Sequence, residues 1–383
     1  MNMQIDLEKG IANVGDVSRM KEVMARARRG ERLVIGFIGG SITQGSLSST
    51  PQMCYAYRVY TWWKETFPQA EFVYCNAGIG GTTSEFGAAR VGTDLLAERP
   101  DFVIVEFSVN DESTEHFKET YEGLVRKILG AAWNPAVLLV HNVFYQNGAN
   151  AQVMHAAIGR HYDLPSVSMQ SSIYPEVVAG RIENRAITPD DLHPNDEGHA
   201  LVASVITYFL EQVRSGKLTG NNTSFAPGAK LPAPLTKNAY EDSVRIRNAA
   251  ADMTGLPQPL MEGFVPDEAA QNGITDCFRY GWTAKKTGDA ITFLAEGSCI
   301  AVQYRKSVKL PAPVALAVVD DDTEHLDANF DETWGDKLEL ATLLEHGKKG
   351  RHIVTIRLAE THADDAVPFY LVSVIAAGRR GRD

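Results

Sequence analysis

The sequence predicts an α/β domain with a doubly wound parallel sheet, followed by a smaller all-β domain. Over residues 1–215, short apolar runs alternate with segments of helical spacing, and beyond that range the helical period fades. Near-continuous apolar strands that alternate with amphipathic helices are typical of a parallel sheet with helices on both faces. In such a sheet, ligands bind at the carboxyl ends of the strands.

The elements of the first domain follow from these two patterns. The strands are predicted at Leu33–Ile38, Glu71–Asn76, Phe102–Phe107 and Ala136–Asn142. The helices are predicted at Tyr55–Phe67, Ser84–Leu96, Phe117–Leu129 and Ala151–Tyr162, with a last helix after Pro194. Because parallel strands need crossover connections, the helices between the strands agree with a parallel sheet.

The remainder of the chain is predicted to be a linker and a β-sandwich. Residues 216–238 form the linker, because this segment is rich in Gly, Pro, Ser and Asn. Residues 239–383 contain strand-like runs such as "DAITFLAEGSCIAVQYRKS" and "GRHIVTIRLAE", separated by turn residues. Such runs predict a β-sandwich of ordinary domain size.

Composition excludes several classes of partner. The formal net charge is −11, which argues against nucleic acid or an anionic membrane, since both attract clustered Lys and Arg. No apolar run is long enough to span a membrane, and the N-terminus shows no signal-peptide pattern. Four widely spaced cysteines without a Cys-x-x-Cys motif predict reduced thiols. We therefore expect a cytoplasmic protein.

The stretch "VIGFIGGSITQG" runs from a predicted strand into paired glycines and a serine, Ser41. A phosphate-binding P-loop requires lysine after its second glycine, and Ser46 stands at that position. The nucleophile elbow of α/β-hydrolases requires Gly-x-Ser-x-Gly, and Thr43 replaces the last glycine. Taken alone, the stretch does not distinguish an ordinary strand-to-helix turn from a turn that carries a nucleophile.

A second segment, "DDLHPNDEGH", favours the nucleophile. His193 precedes Pro194, and proline suits the first position of a helix, so the imidazole is predicted at a loop-to-helix junction. Asp190 can fold back to this ring, accept its Nδ1 proton and fix the tautomer. Spacing favours Asp190 over the adjacent Asp191. Because Ser41 follows the first strand and His193 precedes the last helix, both are expected at the same crevice.

Metal binding is an alternative for this segment, because Asp190, His193, Asp196 and His199 are all potential ligands. The two histidines are six residues apart, which turns a helix by about 600°, so their rings would not share a face. A solvated helix start without function is a further alternative. We predict no metal and no other cofactor.

Four segments, in this order, resemble the sequence blocks of the SGNH hydrolases, also called GDSL esterases and lipases. "GGSIT" is similar to the nucleophile block, "NAGIGGTTS" to the second, "FSVND" to the third and "DDLHP" to the fifth. The resemblance implies a flavodoxin-like sheet and an esterase with the catalytic triad Ser41, His193 and Asp190. It also implies an oxyanion hole made of the backbone N–H groups of Ser41 and Gly81 and the side-chain amide of Asn110.

Two positions depart from the family's usual pattern. Gly40 stands where the first block has an acid, and Ser108 stands where the third block has glycine. Neither position supplies a reacting group in the family, so the resemblance still implies the same mechanism.

The β-domain bears on the substrate. Its pattern, including "FRYGWTAKKTGDAITF", resembles jelly-roll modules found beside SGNH domains in carbohydrate esterases. This implies hydrolysis of short-chain esters, acetyl above all, on sugars or oligosaccharides. The alternatives are a lysophospholipase or thioesterase of the same family, or a non-catalytic carbohydrate-binding protein on this scaffold. Assembly into a homo-oligomer stays open.

Four polar residues outside the triad receive structural interpretations. His141 closes a predicted strand and is expected to be a hydrogen-bonded structural histidine. His155 and His161 are expected on the surface of their helix. Asp111 follows the oxyanion asparagine and is expected to brace its loop through hydrogen bonds.

Overall fold

The computed structural model describes residues 5–221, 230–249 and 257–379. The chain forms two compact units, residues 1–238 and 239–383. The first unit is α/β and the second is all-β, which confirms the predicted fold class.

The α/β unit contains six strands and ten α-helices within the described residues. The strands are β1 (Ile11–Asn13), β2 (Arg32–Gly39), β3 (Glu71–Gly78), β4 (Phe102–Glu106), β5 (Ala136–His141) and β6 (Ser166–Ser168). The helices are α1 (Ser18–Arg28), α2 (Ser41–Gln44), α3 (Tyr55–Thr66), α4 (Ser84–Asp94), α5 (Glu115–Leu129), α6 (Gln152–His161), α7 (Met169–Ser172), α8 (Tyr174–Val178), α9 (Asn184–Ile187) and α10 (Asp196–Arg214).

The sheet of this unit has the strand order β1-β6-β5-β4-β2-β3, in which β2 to β6 are parallel and β1 is antiparallel to β6. The central strands β4 and β5 are buried along their whole length, because their apolar side chains face helices on both sides. The next strand in the chain, β3, lies on one side of β2, and the strand after it, β4, lies on the other side of β2. The switch point between β2 and β4 therefore opens a crevice at their carboxyl ends.

Helix capping explains where two of the helices begin. Helix α5 begins at Glu115 because the Thr114 side chain accepts a hydrogen bond from the backbone N–H of Phe117. The prediction that Pro194 takes the first helical position is wrong. The side chain of Asn195 caps α10, so the helix begins one residue after this cap.

The predicted linker, residues 216–238, includes residues 222–229, which lie outside the described residues. The described end of the segment belongs to the first unit. There the buried carboxylate of Glu122 accepts hydrogen bonds from the backbone N–H groups of Leu235 and Thr236, at 2.6 and 2.8 Å. These bonds hold the segment against α5.

The second unit is a sandwich of two antiparallel sheets, in keeping with a jelly roll. Its described strands are β7 (Val244–Ile246), β8 (Leu260–Glu262), β9 (Val265–Pro266), β10 (Trp282–Ala284), β11 (Ala290–Gly297), β12 (Cys299–Lys306), β13 (Val314–Val319), β14 (Asp322–Asp327), β15 (Lys337–Leu344), β16 (Gly350–Glu360) and β17 (Phe369–Ala377). One sheet has the order β15-β12-β17-β10-β9 with β7 beside β17, and the other has the order β14-β13-β16-β11-β8. Their inner faces form one apolar core, in which Trp282 contacts Phe293 across the two sheets at 5.1 Å.

Two predictions from composition can be compared with these units. The four cysteines are free thiols, as predicted. Among the described helices, none combines the length and the hydropathy that a membrane crossing requires.

Candidate active site

Ser41 is the first residue of α2 and lies at the switch point of the sheet, one residue beyond Gly40. Its side chain is buried, and its Oγ lies 2.8 Å from Nε2 of His193. The helix is a single turn that ends at Gln44 and is followed by Gly45, where φ is +100°. Only glycine adopts this conformation readily, so the sequence "GGSITQG" forms a short helix with the serine at its start.

His193 lies in the loop before α10, with its other ring nitrogen, Nδ1, 2.6 Å from Oδ2 of Asp190. The second carboxylate oxygen, Oδ1, accepts hydrogen bonds from the backbone N–H groups of Leu192 and His193, at 3.1 and 2.7 Å. Burial opposes ionisation of Asp190, but these hydrogen bonds outweigh it and lower the pKa of the carboxyl group. An ionised Asp190 therefore fixes both the loop and the orientation of the ring.

The adjacent carboxylate, Asp191, points to a different part of the molecule. Its side chain accepts hydrogen bonds from Asn184 and Arg185, at 2.5 and 2.7 Å. Its backbone has φ +70°, and its carbonyl oxygen accepts a hydrogen bond from the N–H of Tyr145. The structure thus brings Ser41, His193 and Asp190 together and leaves Asp191 outside this arrangement.

Asn110 packs directly against the backbone of Gly40, beside Ser41. A Cβ atom added to Gly40 would lie only 2.0 Å from Oδ1 of Asn110. The loop that carries this amide is folded by two hydrogen bonds to the carbonyl oxygen of Phe107, from the N–H groups of Asn110 and Asp111. Gly40 departs from the family's acid because the Asn110 amide fills the space that a side chain would need.

Gly81 lies in the loop between β3 and α4, which the structure places against Ser41. A Cβ atom added to Gly80 would lie 3.6 Å from Cβ of Ser41. The N–H of Gly80 donates to Oε1 of Gln44, at 2.6 Å, and so ties this loop to α2. Gly81 has φ +67°, in the left-handed region that glycine adopts without strain.

The chain is similar to known ester hydrolases. Residues 37–201 match the model of the GDSL-like lipase/acylhydrolase family. The crystal structure of a two-domain esterase (CEX) active on acetylated mannans is 65% identical, with a TM-score of 0.93 and coverage of 99% of this chain and 100% of that chain.

The chain belongs to the GDSL-like lipase/acylhydrolase family. A crystal structure of a two-domain esterase (CEX) active on acetylated mannans, co-crystallised with mannopentaose, is 64% identical, with a TM-score of 0.92 and the same coverage of both chains. Both matches include the β-sandwich, which confirms the predicted resemblance of the second domain as well as of the first. No curated protein matches the chain.

In this GDSL-like hydrolase, the prediction that His155 lies on the helix surface is wrong. The ring is fully buried, stacks on Tyr121 with centroids 3.6 Å apart, and places Nε2 3.0 Å from Oδ2 of Asp111. The other oxygen of Asp111 accepts a hydrogen bond from the N–H of Ser84, at 2.8 Å. Asp111 thus braces the loop of Asn110 between α4 and α6, as expected.

The prediction of a hydrogen-bonded His141 is also wrong. Its ring is fully buried, and neither nitrogen makes a hydrogen bond within the described part of the chain. Burial lowers the pKa of His141 to about 3, so the ring is neutral. His161 is half-buried, and its Nε2 lies 2.7 Å from the carbonyl oxygen of Ala233.

The other residues considered as metal ligands join α10 to the loop after α2 and to the start of α3. Nδ1 of His199 lies 3.3 Å from the backbone N of Tyr55, and Asp196 accepts hydrogen bonds from the backbone N–H and the hydroxyl of Ser49, at 2.8 and 2.6 Å. Burial lowers the pKa of His199 to about 4, so this ring is neutral. Among the described residues, no group of three or more His, Cys, Asp or Glu side chains has the geometry of a metal site.

Two charged residues near the site were not recognised from the sequence. Arg90 is fully buried in α4 and donates to the carbonyl oxygen of Gly39, at 3.2 Å, two residues before Ser41. Glu106 is fully buried at the end of β4, beside Gly39 in the sheet. The one signal for Glu106 is an isolated acid at the end of the apolar run "FVIVEF".

Proposed function

We propose that the chain is a serine esterase that removes acetyl groups from sugars or oligosaccharides. The observation that carries the proposal is the continuous contact from Ser41 Oγ to His193 Nε2, at 2.8 Å, and from His193 Nδ1 to Asp190, at 2.6 Å. A hydroxyl paired with an imidazole, and an imidazole oriented by a carboxylate, is the arrangement that activates a serine for attack on an ester.

In the acylation half-reaction, Ser41 Oγ attacks the acetyl carbonyl while His193 Nε2 takes the hydroxyl proton. The negative charge that develops on the carbonyl oxygen is bound by the N–H groups of Ser41 and Gly81 and by the side-chain amide of Asn110. The tetrahedral intermediate collapses when His193 returns the proton to the sugar oxygen. The sugar leaves as an alcohol, and the acetyl group stays on the serine.

In the deacylation half-reaction, water takes the place of the sugar. His193 removes a proton from the water, the hydroxide attacks the acetyl carbonyl, and the same donors bind the oxyanion. The proton then passes to Ser41 Oγ as acetate leaves. Asp190 stays ionised throughout and stabilises the imidazolium formed in each half-reaction.

The substrate class rests on the full-length relatives. The two-domain esterases active on acetylated mannans match 99% of this chain, including the β-sandwich, at 64% and 65% identity. This extent of similarity supports an acetylated oligosaccharide as the substrate more strongly than a lysophospholipid or a thioester. It also argues against a non-catalytic role.

The test compares acetate release from acetylated manno-oligosaccharides with fatty acid release from a lysophospholipid, and includes p-nitrophenyl acetate as a generic ester. The wild type should release acetate from both acetyl esters, and the Ser41→Ala variant should release none above background. Fatty acid release without acetate release would assign the chain to lysophospholipids instead. An inactive wild type would favour the non-catalytic alternative.

A further inference from the structure

Glu106 has no role in the mechanism above, although it lies at the switch point of the sheet. It is the last residue of β4, and its side chain is fully buried. Burying a carboxyl group is costly unless polar groups surround it. The partners of Glu106 therefore indicate what this residue does.

The two carboxyl oxygens of Glu106 contact two different segments of the site. Oε2 lies 3.4 Å from the hydroxyl of Thr43, which is on α2 two residues after Ser41. Oε1 lies 3.4 Å from the hydroxyl of Ser108, which is two residues before Asn110. One side chain thus contacts both the segment that carries the nucleophile and the segment that carries the oxyanion amide.

Both hydroxyl groups are held in turn by further partners. The hydroxyl of Thr43 lies 2.8 Å from that of Tyr55, and the hydroxyl of Ser108 donates to the carbonyl oxygen of Asn142, at 3.0 Å. A hydroxyl has one proton to donate. The proton of Ser108 is within reach of Oε1 of Glu106 and of the carbonyl oxygen of Asn142, which also accepts a hydrogen bond from the side chain of Asn150, at 2.8 Å. Glu106 is therefore linked to both segments through hydroxyl groups that have further partners of their own.

Asn110 depends on this support because its own side chain is weakly held. Its Oδ1 is buried and has no hydrogen-bond partner among the described residues. Among the described residues, the amide lies against Gly40, and its loop is folded on the carbonyl oxygen of Phe107. Ser108 lies in that loop, so the contact between Ser108 and Glu106 limits how far the amide can move relative to Ser41.

We propose that Glu106 is a positioning residue that holds Asn110 and Ser41 at the separation which oxyanion stabilisation requires. This inference rests on the proposed esterase function. Burial raises the pKa of Glu106 to about 7, against the opposite effect of hydrogen bonds from Asn142, Ser108 and Thr43, so the neutral form predominates below about pH 7.

The experiment measures kcat and KM on p-nitrophenyl acetate for the wild type, Glu106→Ala and Glu106→Gln. The alanine variant should lose roughly 10- to 100-fold in kcat, since small displacements of catalytic groups are costly, while KM changes by less than about threefold. Glutamine keeps the shape of the neutral acid and presents an NH₂ donor group and an acceptor oxygen, so it should restore most of kcat.

A double variant distinguishes a positioning role of Glu106 from a general loss of protein stability. If Glu106 acts through Asn110, adding Glu106→Ala to Asn110→Ala should reduce kcat much less than it does in the wild type. Fully additive losses would overturn the inference. So would an unchanged kcat in Glu106→Ala.

Glu122 supplies the matched control, because it is also a fully buried glutamate but binds the segment at Leu235 and Thr236. Glu122→Ala should lower the melting temperature while leaving kcat unchanged. If Glu106→Ala does not fold, Thr43→Val removes the same contact while keeping the shape of the side chain, and it should lower kcat without changing KM. Wild-type protein that hydrolyses no acetyl ester would refute the proposed function rather than this inference.

Discussion

Replacing Asp190 with asparagine tests the assignment of the third triad member. The new amide would retain an oxygen for the backbone N–H groups of Leu192 and His193, now bound at 3.1 and 2.7 Å. Its NH₂ group would then face Nδ1 of the ring, where Oδ2 now lies at 2.6 Å. Two donors cannot face each other, so the imidazole would carry its proton on Nε2. That nitrogen contacts Ser41 and could no longer accept the serine proton.

The magnitude follows from this change of tautomer. In serine proteases the same substitution reduces kcat by about 10⁴-fold. The Asp190 side chain is 45% exposed, so solvent screens its charge and reduces its electrostatic contribution, whereas the tautomer effect does not depend on screening. We therefore expect a loss of roughly 10³- to 10⁴-fold, about 4 to 5.5 kcal/mol in the activation free energy.

The assay is hydrolysis of p-nitrophenyl acetate, with Asp191→Asn as the control. Asp191 binds Asn184 and Arg185 and has no contact with the imidazole, so its replacement should leave kcat within about twofold of the wild type. A larger loss in Asp191→Asn than in Asp190→Asn would refute the reasoning, and so would a nearly unchanged kcat in Asp190→Asn.

Three other predictions concern Asn110, Gly40 and the pH dependence of stability that Glu106 causes. Asn110→Ala should lower kcat on p-nitrophenyl acetate by roughly 10²- to 10³-fold, the usual cost of one oxyanion donor, and unchanged turnover would remove this assignment. Gly40→Asp restores the family's acid but requires a Cβ atom 2.0 Å from Asn110 Oδ1, so kcat should fall by about 10²-fold. The control is Gly92→Ala, which should retain activity because the space around its Cβ is open. Burial raises the pKa of Glu106 from 4.5 to about 7. Between these pH values the unfolded chain loses this proton while the folded protein keeps it, so the unfolding free energy of the wild type falls as pH rises. The unfolding free energies of the wild type and Glu106→Gln are compared by urea unfolding at pH 4.5 and at pH 7.5. The variant should gain up to about 3 kcal/mol relative to the wild type over this range. A difference between the two proteins that does not change with pH would contradict a neutral Glu106.

The parallel sheet was predictable because its central strands are continuous apolar runs. Strands β2 to β5 lie within two residues of their predicted limits. The three-residue strands β1 and β6 were missed, since "IAN" and "SVS" carry no such run and form strands only by pairing with neighbours. Helix α1 was missed although its buried residues are spaced three and four apart, so its period was present in the sequence.

The candidate triad was predictable because its motifs are local. Asp190 and His193 are three residues apart, and one turn places the carboxylate on the ring. The role of His155 depends instead on Asp111, 44 residues away in the sequence, and that of Glu106 depends on Thr43, 63 residues away, as well as on the nearby Ser108. No local pattern records the two distant pairings. A polar residue at a buried position becomes interpretable only when the fold shows its partner.

Covalent labelling of Ser41 tests the central claim most directly. A p-nitrophenyl phosphonate should attach once per chain, and peptide mapping by mass spectrometry should place the label on Ser41. His193→Ala should strongly slow the labelling, since the imidazole must accept the hydroxyl proton. Absence of a label on the folded wild type, or a label on another residue, would contradict a nucleophile activated by His193.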